Sequence, residues 1–265
     1  MSERRTALIT GASSGFGIEF AKLFAGDGFD LVLVARSERP MRELAEQLQA
    51  AHAITATVIA KDLAAAGACD ELVADLRDRG IQVDALVNNA GFAQYGPFVD
   101  ADPRVLNTMV SVNVVALTDL TRALLPGMVE RRWGRIVNLG SIGSFSPAPM
   151  TAAYAATKAY VLSLSLALSE ELNGTGVTVT ALCPGPTATG FQARAEMANS
   201  KLIAGRSLDP AEDVVRMGYA AMKKGRPYVV TGTTSKVFAF GSRFLPRMAS
   251  TRIAARSQQR ITGTS

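Results

Sequence analysis

Short apolar segments alternate with longer segments of helical periodicity, and this alternation limits the possible folds more than any other feature. Three strand-and-helix alternations fall within the first 90 residues, which is typical of a doubly wound parallel sheet with helices on both faces. The pattern predicts strands over 6–10, 29–35, 55–60, 83–87, 135–139, 177–182 and 227–231, and helices over 18–26, 39–51, 70–79, 103–130, 154–172 and 210–224. We therefore predict an α/β fold with a doubly wound parallel sheet of about seven strands.

A glycine-rich turn joins the first predicted strand to the first helix. Gly11, Gly15 and Gly17 allow a tight turn and a close approach of backbone to a ligand, and the helix that follows presents N–H groups and a positive dipole end. The spacing is Thr-Gly-x-x-x-Gly-x-Gly, which differs from the G-x-G-x-x-G fingerprint. Its position at the first strand–helix junction nevertheless favours a pyrophosphate site.

Arg36 ends the second predicted strand, 19 residues after Gly17. An acidic residue in this region of such units binds the ribose 2′-hydroxyl, whereas an arginine accepts a 2′-phosphate. No Asp or Glu ends this strand, and Arg39 lies nearby as a second guanidinium. The sequence favours NADP(H) over NAD(H), with a solvent-facing loop arginine as the alternative.

Two further loops follow predicted strands, and ligands bind at the carboxyl ends of strands in open α/β sheets. Asp62 and Leu63 end the third strand, where Asp62 could meet an adenine or simply form a turn. A proline-rich loop follows the sixth strand and contains Pro184, Gly185, Thr187 and Thr189. Residues from about 188 to 207 lack a convincing strand or long helix, and we interpret them as a lid over an apolar substrate.

Tyr154 and Lys158 are four residues apart on the predicted helix 154–172, so their side chains lie on one face, about 6 Å apart along the axis. A fixed ammonium favours the ionised phenol and lowers its pKa from about 10. Ser141 at the end of the fifth strand could face the same point. These three residues predict general acid/base chemistry, while a surface pair is the alternative for Tyr154 and Lys158 alone.

Asn113 lies in the middle of the long apolar helix 103–130. A buried amide must find hydrogen-bond partners, and this one could brace helix backbone and water, or the lysine. An ordinary core amide is the alternative.

Composition excludes several other kinds of protein. The net charge of +5 is mild and gives no argument for nucleic acid. Cys69 and Cys183 are isolated and His52 is the single histidine, so we predict no metal site and no Ser-His-Asp hydrolase. The start of the chain shows no signal peptide and no run of about 18 apolar residues occurs. We expect a cytoplasmic protein.

Together these motifs resemble the short-chain dehydrogenase/reductase family. The resemblance covers about residues 5–232 and depends on the co-occurrence of the motifs in family order and spacing. They are Thr10-Gly11-x-x-x-Gly15-x-Gly17, Asn88-Asn89-Ala90-Gly91, Asn113, Ser141, Tyr154-x-x-x-Lys158 and Pro184-Gly185. The resemblance implies a single-domain Rossmann fold over 1–232, followed by an extension over 233–265.

The resemblance also implies a role for each motif. Tyr154 is the proton donor in carbonyl reduction and the base in alcohol oxidation, Ser141 orients the carbonyl oxygen, and Lys158 lowers the tyrosine pKa and holds the nicotinamide ribose. Asn113 keeps a water that relays protons to Lys158. The cofactor NADP(H) is then bound by Gly11, Ser13, Ser14, Gly15, Phe16, Gly17, Arg36, Asp62, Leu63, Asn88, Asn89, Ala90, Gly91, Tyr154, Lys158, Pro184, Gly185, Thr187 and Thr189. Many NADP(H)-dependent members carry a basic residue at the place of Ser14, so the NADP(H) preference is expected to be moderate.

Apolar side chains near these motifs predict a lipophilic substrate, such as a ketone, an aldehyde or a ketoacyl compound. They are Phe92, Tyr95, Phe145, Met150 and Phe191, each of which could equally belong to the core. The resulting hypothesis is an NADP(H)-dependent oxidoreductase that transfers a hydride between nicotinamide and a carbonyl or secondary alcohol. The alternative is a non-catalytic NADP(H)-binding sensor or scaffold on the same fold.

The extension 233–265 alternates basic and apolar residues. Such a basic amphipathic segment could contact a membrane surface weakly, or it could pack on its own subunit or a neighbour. Gly241 and Pro246 are expected to break it into pieces. The family resemblance further implies a homodimer or homotetramer, with the helices 103–130 and 154–172 at an interface.

Overall fold

The computed structural model describes residues 4–188 and 208–258. Its strands are β1 (Thr6–Thr10), β2 (Asp30–Ala35), β3 (Ala56–Ala60), β4 (Ala85–Asn88), β5 (Gly134–Leu139), β6 (Val177–Cys183), β7 (Thr187–Ala188), β8 (Asp209–Pro210) and β9 (Tyr228–Val230). Its α-helices are α1 (Phe16–Gly26), α2 (Glu38–His52), α3 (Ala68–Asp78), α4 (Pro103–Val110), α5 (Leu117–Glu130), α6 (Ala152–Glu171), α7 (Ala211–Lys223), α8 (Thr233–Gly241) and α9 (Arg247–Gln258).

Among the described residues, seven strands form one sheet in the order β3-β2-β1-β4-β5-β6-β9. All six neighbouring pairs are parallel, which confirms the predicted doubly wound α/β fold. The chain runs outward from β1 to β3 and then returns to place β4 on the other side of β1. This reversal opens a crevice at the carboxyl ends of β1 and β4, which is where open α/β sheets bind ligands.

Both faces of the sheet are covered, which explains why the strands are apolar without alternation. One face packs on α1, α2 and α7, with Phe20, Phe24 and Met41 fully buried. The other face packs on α3 and α5, with Leu72 and Leu120 in its core.

The segment Pro103–Glu130 is continuously helical, because a π-helical turn (Ser111–Ala116) joins α4 to α5. By length and composition alone it is apolar enough to span a membrane, with a mean hydropathy of 1.3 over an 18-residue window, a test that core helices also pass. Here it packs against α3, β5 and α6, and 33% of that window is buried.

The predicted extension folds back on the rest of the chain through two helices. Helix α8 follows β9 directly, and the break before α9 falls at Gly241–Pro246, as the sequence pattern indicates. Ala254 of α9 packs against Ala148 and Ala155, and all three side chains are buried. The extension is therefore continuous with the fold up to Gln258, and residues 259–265 lie outside the described residues.

Candidate active site

A cavity of about 680 Å³ runs along the carboxyl edge of the sheet. One end is formed by the glycine-rich turn after β1 and by the ends of β2 and β3. The other end contains Ser141, Tyr154 and Lys158. The cavity therefore joins the predicted nucleotide site to the predicted proton-transfer site.

The backbone at the nucleotide end is packed too closely for side chains at two glycines. A Cβ at Gly17 would lie 2.3 Å from the carbonyl oxygen of Gly11, and a Cβ at Gly11 would lie 2.7 Å from Nδ2 of Asn89. Gly11 also has a positive φ of 66°. Gly15 precedes α1 without a side-chain cap, so the first N–H groups of α1 are left for a ligand. This cradle fits a pyrophosphate.

Thr10 and Asn89 hold the two strand ends that flank the crevice. The Thr10 hydroxyl accepts hydrogen bonds from the N–H groups of Asn89 and Ala90 at 3.0 and 2.9 Å, and the Asn89 amide donates to the Thr10 carbonyl at 2.8 Å. Asn89, Ala90 and Gly91 all line the cavity.

Asn88 was expected among the cofactor-binding residues, but it does not line the cavity. Its side chain points away from the cavity, where Nδ2 donates to Thr121 Oγ1 at 3.0 Å and to Asn138 Oδ1 at 2.9 Å. Successive side chains of a strand point to opposite sides, so Asn88 and Asn89 cannot both face the crevice. Asn88 instead ties β4 to β5 and α5.

Arg36 lies at the far end of the cavity, together with Lys61, Asp62 and Leu63. Asp62 accepts a hydrogen bond from the N–H of Ala64 at 3.1 Å, so it forms a turn and lines the cavity at the same time. Lys61 pairs with Glu71 at 2.7 Å on the surface. The sequence analysis missed Lys61, although its position just before Asp62 at the end of β3 could have identified it as a second cation for a phosphate.

Ser141 and Tyr154 meet at the other end of the cavity. Ser141 caps the 3₁₀ turn Ile142–Phe145, where its Oγ accepts from the N–H of Gly143 at 3.1 Å. Its hydroxyl is also hydrogen-bonded to the phenol of Tyr154. A strand end and a helix therefore fix this pair from two directions.

Burial raises the pKa of Tyr154 to about 12, and the hydrogen bond from Ser141 opposes this shift only in part. The direction is opposite to the lowered pKa expected from Lys158. The Lys158 ammonium lies 5.7 Å from the centre of the Tyr154 ring, and burial lowers its own pKa to about 8. Burial likewise raises the pKa of the neighbouring Cys183 thiol to about 12. In the protein alone, desolvation therefore sets the direction of the Tyr154 shift, and the ammonium of Lys158 is not among its causes.

Asn113 lies in the π-helical turn and is almost fully buried. Its Oδ1 accepts from the N–H of Phe92 at 3.1 Å, and its Nδ2 donates to the carbonyl of Phe92 at 3.0 Å and to Thr157 Oγ1 at 3.2 Å. Asn113 therefore braces the loop after Gly91 and the helix that carries Lys158. The π-helical turn marks this position, since such bulges are frequent at functional sites.

Comparison with known proteins agrees with this geometry. The family model described as short chain dehydrogenase matches residues 5–199. The chain belongs to the short-chain dehydrogenase family. An uncharacterized oxidoreductase of Staphylococcus epidermidis is 31% identical over 79% of this chain and 89% of its own length.

Two solved structures are similar over about nine-tenths of the chain. A short-chain dehydrogenase from Sphingobium yanoikuyae in complex with NADPH is 32% identical, with a TM-score of 0.80, and the match covers 91% of this chain and 94% of that one. A bulky-bulky ketone specific alcohol dehydrogenase from Comamonas testosteroni is 30% identical, with a TM-score of 0.77, and the match covers 91% and 92%. The protein is therefore an oxidoreductase of this family, whose members bind a nicotinamide cofactor.

The loop after β6 forms one side of the same cavity. Pro184, Gly185 and Thr187 line it, and the Thr187 hydroxyl donates to the carbonyl of Gly185 at 2.9 Å. The described residues do not include 189–207. Thr189, Phe191 and the predicted lid beyond residue 188 therefore lie outside them.

The predicted substrate residues are placed differently from one another. Phe92 lines the cavity. Tyr95, Phe145 and Met150 are not among its lining residues. The buried Tyr95 donates to the carbonyl of Gln258, Phe145 packs beside Tyr228, and the backbone carbonyl of Met150 accepts from the N–H of Gly96.

One part of the cavity wall was missed by the sequence analysis. It is formed by the C-terminal helices α8 and α9, which lie beyond the end of the family match. Its apolar part consists of Phe238, Ile253 and Ala254, and its polar part of Ser235, Ser257 and Gln258. Gly232 is the one local signal, because a glycine with φ of 78° turns the chain from β9 into α8.

Proposed function

We propose that the protein is an NADP(H)-dependent carbonyl reductase or alcohol dehydrogenase that acts on a lipophilic ketone, aldehyde or ketoacyl substrate. The observation that carries the proposal is the hydrogen-bonded pair of Ser141 and Tyr154, at the end of a cavity whose other end is the glycine cradle. This arrangement leaves a reacting carbonyl between a proton donor and the cofactor site.

In this proposal Tyr154 gives its proton to the carbonyl oxygen, and Ser141 donates a hydrogen bond that orients the same oxygen. Bound nicotinamide supplies the hydride that completes the alcohol. A pKa of about 12 keeps Tyr154 protonated at neutral pH, which suits the donor role in reduction. Lys158, whose pKa is about 8, sits one helical turn away and can hold the cofactor ribose and return a proton.

NADP(H) rather than NAD(H) is proposed on the charges at the far end of the cavity. Arg36 and Lys61 both line it, and a guanidinium fork suits a 2′-phosphate. The NADPH bound to the Sphingobium relative supports the same cofactor for this chain.

A lipophilic substrate is proposed on the composition of the wall. Phe92, Val112, Phe238, Ile253 and Ala254 give the reaction end an apolar surface. The ketone specificity of the Comamonas relative supports a bulky substrate.

The test is NADPH oxidation over a panel that runs from short aldehydes through β-ketoacyl thioesters to aromatic and steroid ketones. We expect turnover to rise with apolar bulk and Tyr154→Phe to lower it by about a thousandfold or more while NADPH still binds. Tyr160→Phe is the matched control, because Tyr160 lies on the same helix with its hydroxyl bonded to Thr118. Unchanged turnover in Tyr154→Phe would refute the proposed role of Tyr154.

A homodimer or homotetramer is proposed on exposed apolar residues of the long helices. Val110 and Val115 are each at least two-fifths exposed, and both lie on the segment Pro103–Glu130. Light scattering should give a mass of two or four chains, and Val115→Arg should reduce it. A monomeric wild-type protein would overturn this assembly.

A further inference from the structure

The turn between α8 and α9 is the most continuously exposed apolar stretch of the described C-terminal part. Every residue from Arg243 to Met248 is exposed. Phe244 is 74% and Met248 63% exposed, and Phe240 of α8 adds another aromatic ring 5.2 Å from that of Phe244. A contiguous apolar surface that the described residues leave uncovered is typical of an interaction site.

The charged residues of α8, of this turn and of α9 all have one sign. Lys236, Arg243, Arg247, Arg252 and Arg256 are exposed, and the sequence from 233 to 265 contains no Asp or Glu. Several basic side chains elsewhere on the surface are paired with acidic ones, as in Arg39–Glu43 and Arg79–Asp75. The turn therefore combines exposed apolar side chains with cations that have no acidic residue among them in the sequence.

We propose that this docking turn, defined as residues 236–253, binds the surface of an anionic lipid bilayer. Phe240, Phe244 and Met248 would enter the boundary between headgroups and acyl chains, while the cations contact anionic headgroups. A second copy of the chain fits less well, because a two-fold interface would place these cations opposite their own copies.

The docking turn also adjoins the mouth of the active-site cavity. Ile253 is 45% exposed and lines the cavity, and Phe238 of α8 lines it as well. A lipophilic substrate dissolved in the bilayer would thus enter beside the contact surface. Substrate entry from the bilayer rests on the proposed function, whereas binding of the docking turn to the bilayer does not.

Vesicle flotation tests the binding directly. Vesicles of phosphatidylcholine with phosphatidylglycerol should carry the full-length protein at low salt, and both high salt and pure phosphatidylcholine should reduce the bound fraction. Lys236→Gln should weaken binding about fivefold, since each cation near an anionic surface contributes about 1 kcal/mol. Met248→Ser should weaken it to a similar degree.

Two matched controls lie elsewhere on the molecule. Lys224→Gln changes an exposed lysine before β9, at the opposite end of that strand from Lys236. Met217→Ser changes a 38% exposed methionine on α7, on the other face of the sheet. Both variants should bind vesicles like the wild type.

Several outcomes would overturn the proposal. The first is that the protein does not float with anionic vesicles at low salt. The second is that the test and control variants lose vesicle binding equally. The third is that the protein does not bind vesicles and instead self-associates in a way that the test variants abolish. Reduction of a soluble ketone without vesicles is measured in the same preparations. Its absence would refute the proposed function and leave the binding result standing.

Discussion

The ammonium of Lys158 donates a hydrogen bond of 2.7 Å to the carbonyl oxygen of Leu139, the last residue of β5. This bond joins the helix that carries Tyr154 to the strand that Ser141 follows by two residues. It also holds a charge in a place that is 5% exposed, and burial there lowers the pKa of Lys158 from 10.5 to about 8.

Because the folded pKa of Lys158 is lower than the unfolded one, the unfolded chain binds more protons between pH 8 and 10.5, and stability from this group rises with pH in that window. We expect the free energy of unfolding of the wild type, relative to Lys158→Met, to increase by up to about 3 kcal/mol from pH 7 to pH 10.5. Denaturant titrations of both proteins at several pH values measure this difference. Parallel pH profiles would contradict it.

Gly91 is expected to tolerate no side chain, because a Cβ there would lie 2.9 Å from Asn113 Oδ1 and 3.6 Å from Lys158 Nζ. Gly91→Ala should cost about 1–3 kcal/mol of stability through overpacking and lower turnover by about tenfold to a hundredfold through displacement of the site. Thermal unfolding and steady-state kinetics measure the two effects. Gly26→Ala, where nothing lies within 4 Å, should instead stabilise α1 slightly.

Arg36→Gln should weaken NADPH binding by about tenfold or more and leave NADH binding nearly unchanged, because the guanidinium is expected to bind only the 2′-phosphate. Lys61→Gln should produce a smaller effect of the same kind. Fluorescence titration with both nucleotides measures the affinities. Arg39→Gln is the control, since Arg39 pairs with Glu43 at 2.8 Å and is not among the cavity-lining residues; an equal effect there would argue against a specific phosphate site.

Tyr95→Phe removes the hydrogen bond that the Tyr95 hydroxyl donates to the Gln258 carbonyl at the end of α9. Loss of one buried hydrogen bond should cost about 1 kcal/mol and loosen α9 against the cavity. We expect faster tryptic cleavage after Arg252 and Arg256, and a higher KM with little change in kcat. Tyr160→Phe should leave both unchanged, and an identical cleavage pattern in the two variants would contradict a bracing role for Tyr95.

The seven strands and six helices predicted from the sequence agree with the structure to within two residues, because strands buried on both faces are continuous apolar runs bounded by turns. The two-residue strands β7 and β8 and the π-helical turn at Ser111–Ala116 were not predicted. Tyr154 and Lys158 were predictable because helical spacing fixes which side chains share a face. Local spacing does not give the pKa of Tyr154, which depends on how many atoms the whole fold packs around the phenol.

Other parts of the site depend on contacts that no local pattern encodes. The bond from Tyr95 to Gln258 joins residues 163 positions apart, so the sequence of the C-terminal extension shows an amphipathic helix but not the surface on which it lies. The choice between Asn88 and Asn89 depended on which side of β4 faced the crevice, and two adjacent asparagines give no preference.

Helices α8 and α9 are remote in sequence from the residues of the nucleotide cradle and of the proton-transfer site. The glycine cradle and the residues Ser141, Tyr154 and Lys158 lie between Gly11 and Lys158, whereas part of the cavity wall comes after Gly232. Exchange of the last few dozen residues between relatives would alter which molecules fit and leave the reaction itself intact. A change after Gly232 can therefore reshape the cavity without altering the nucleotide cradle or the proton-transfer groups.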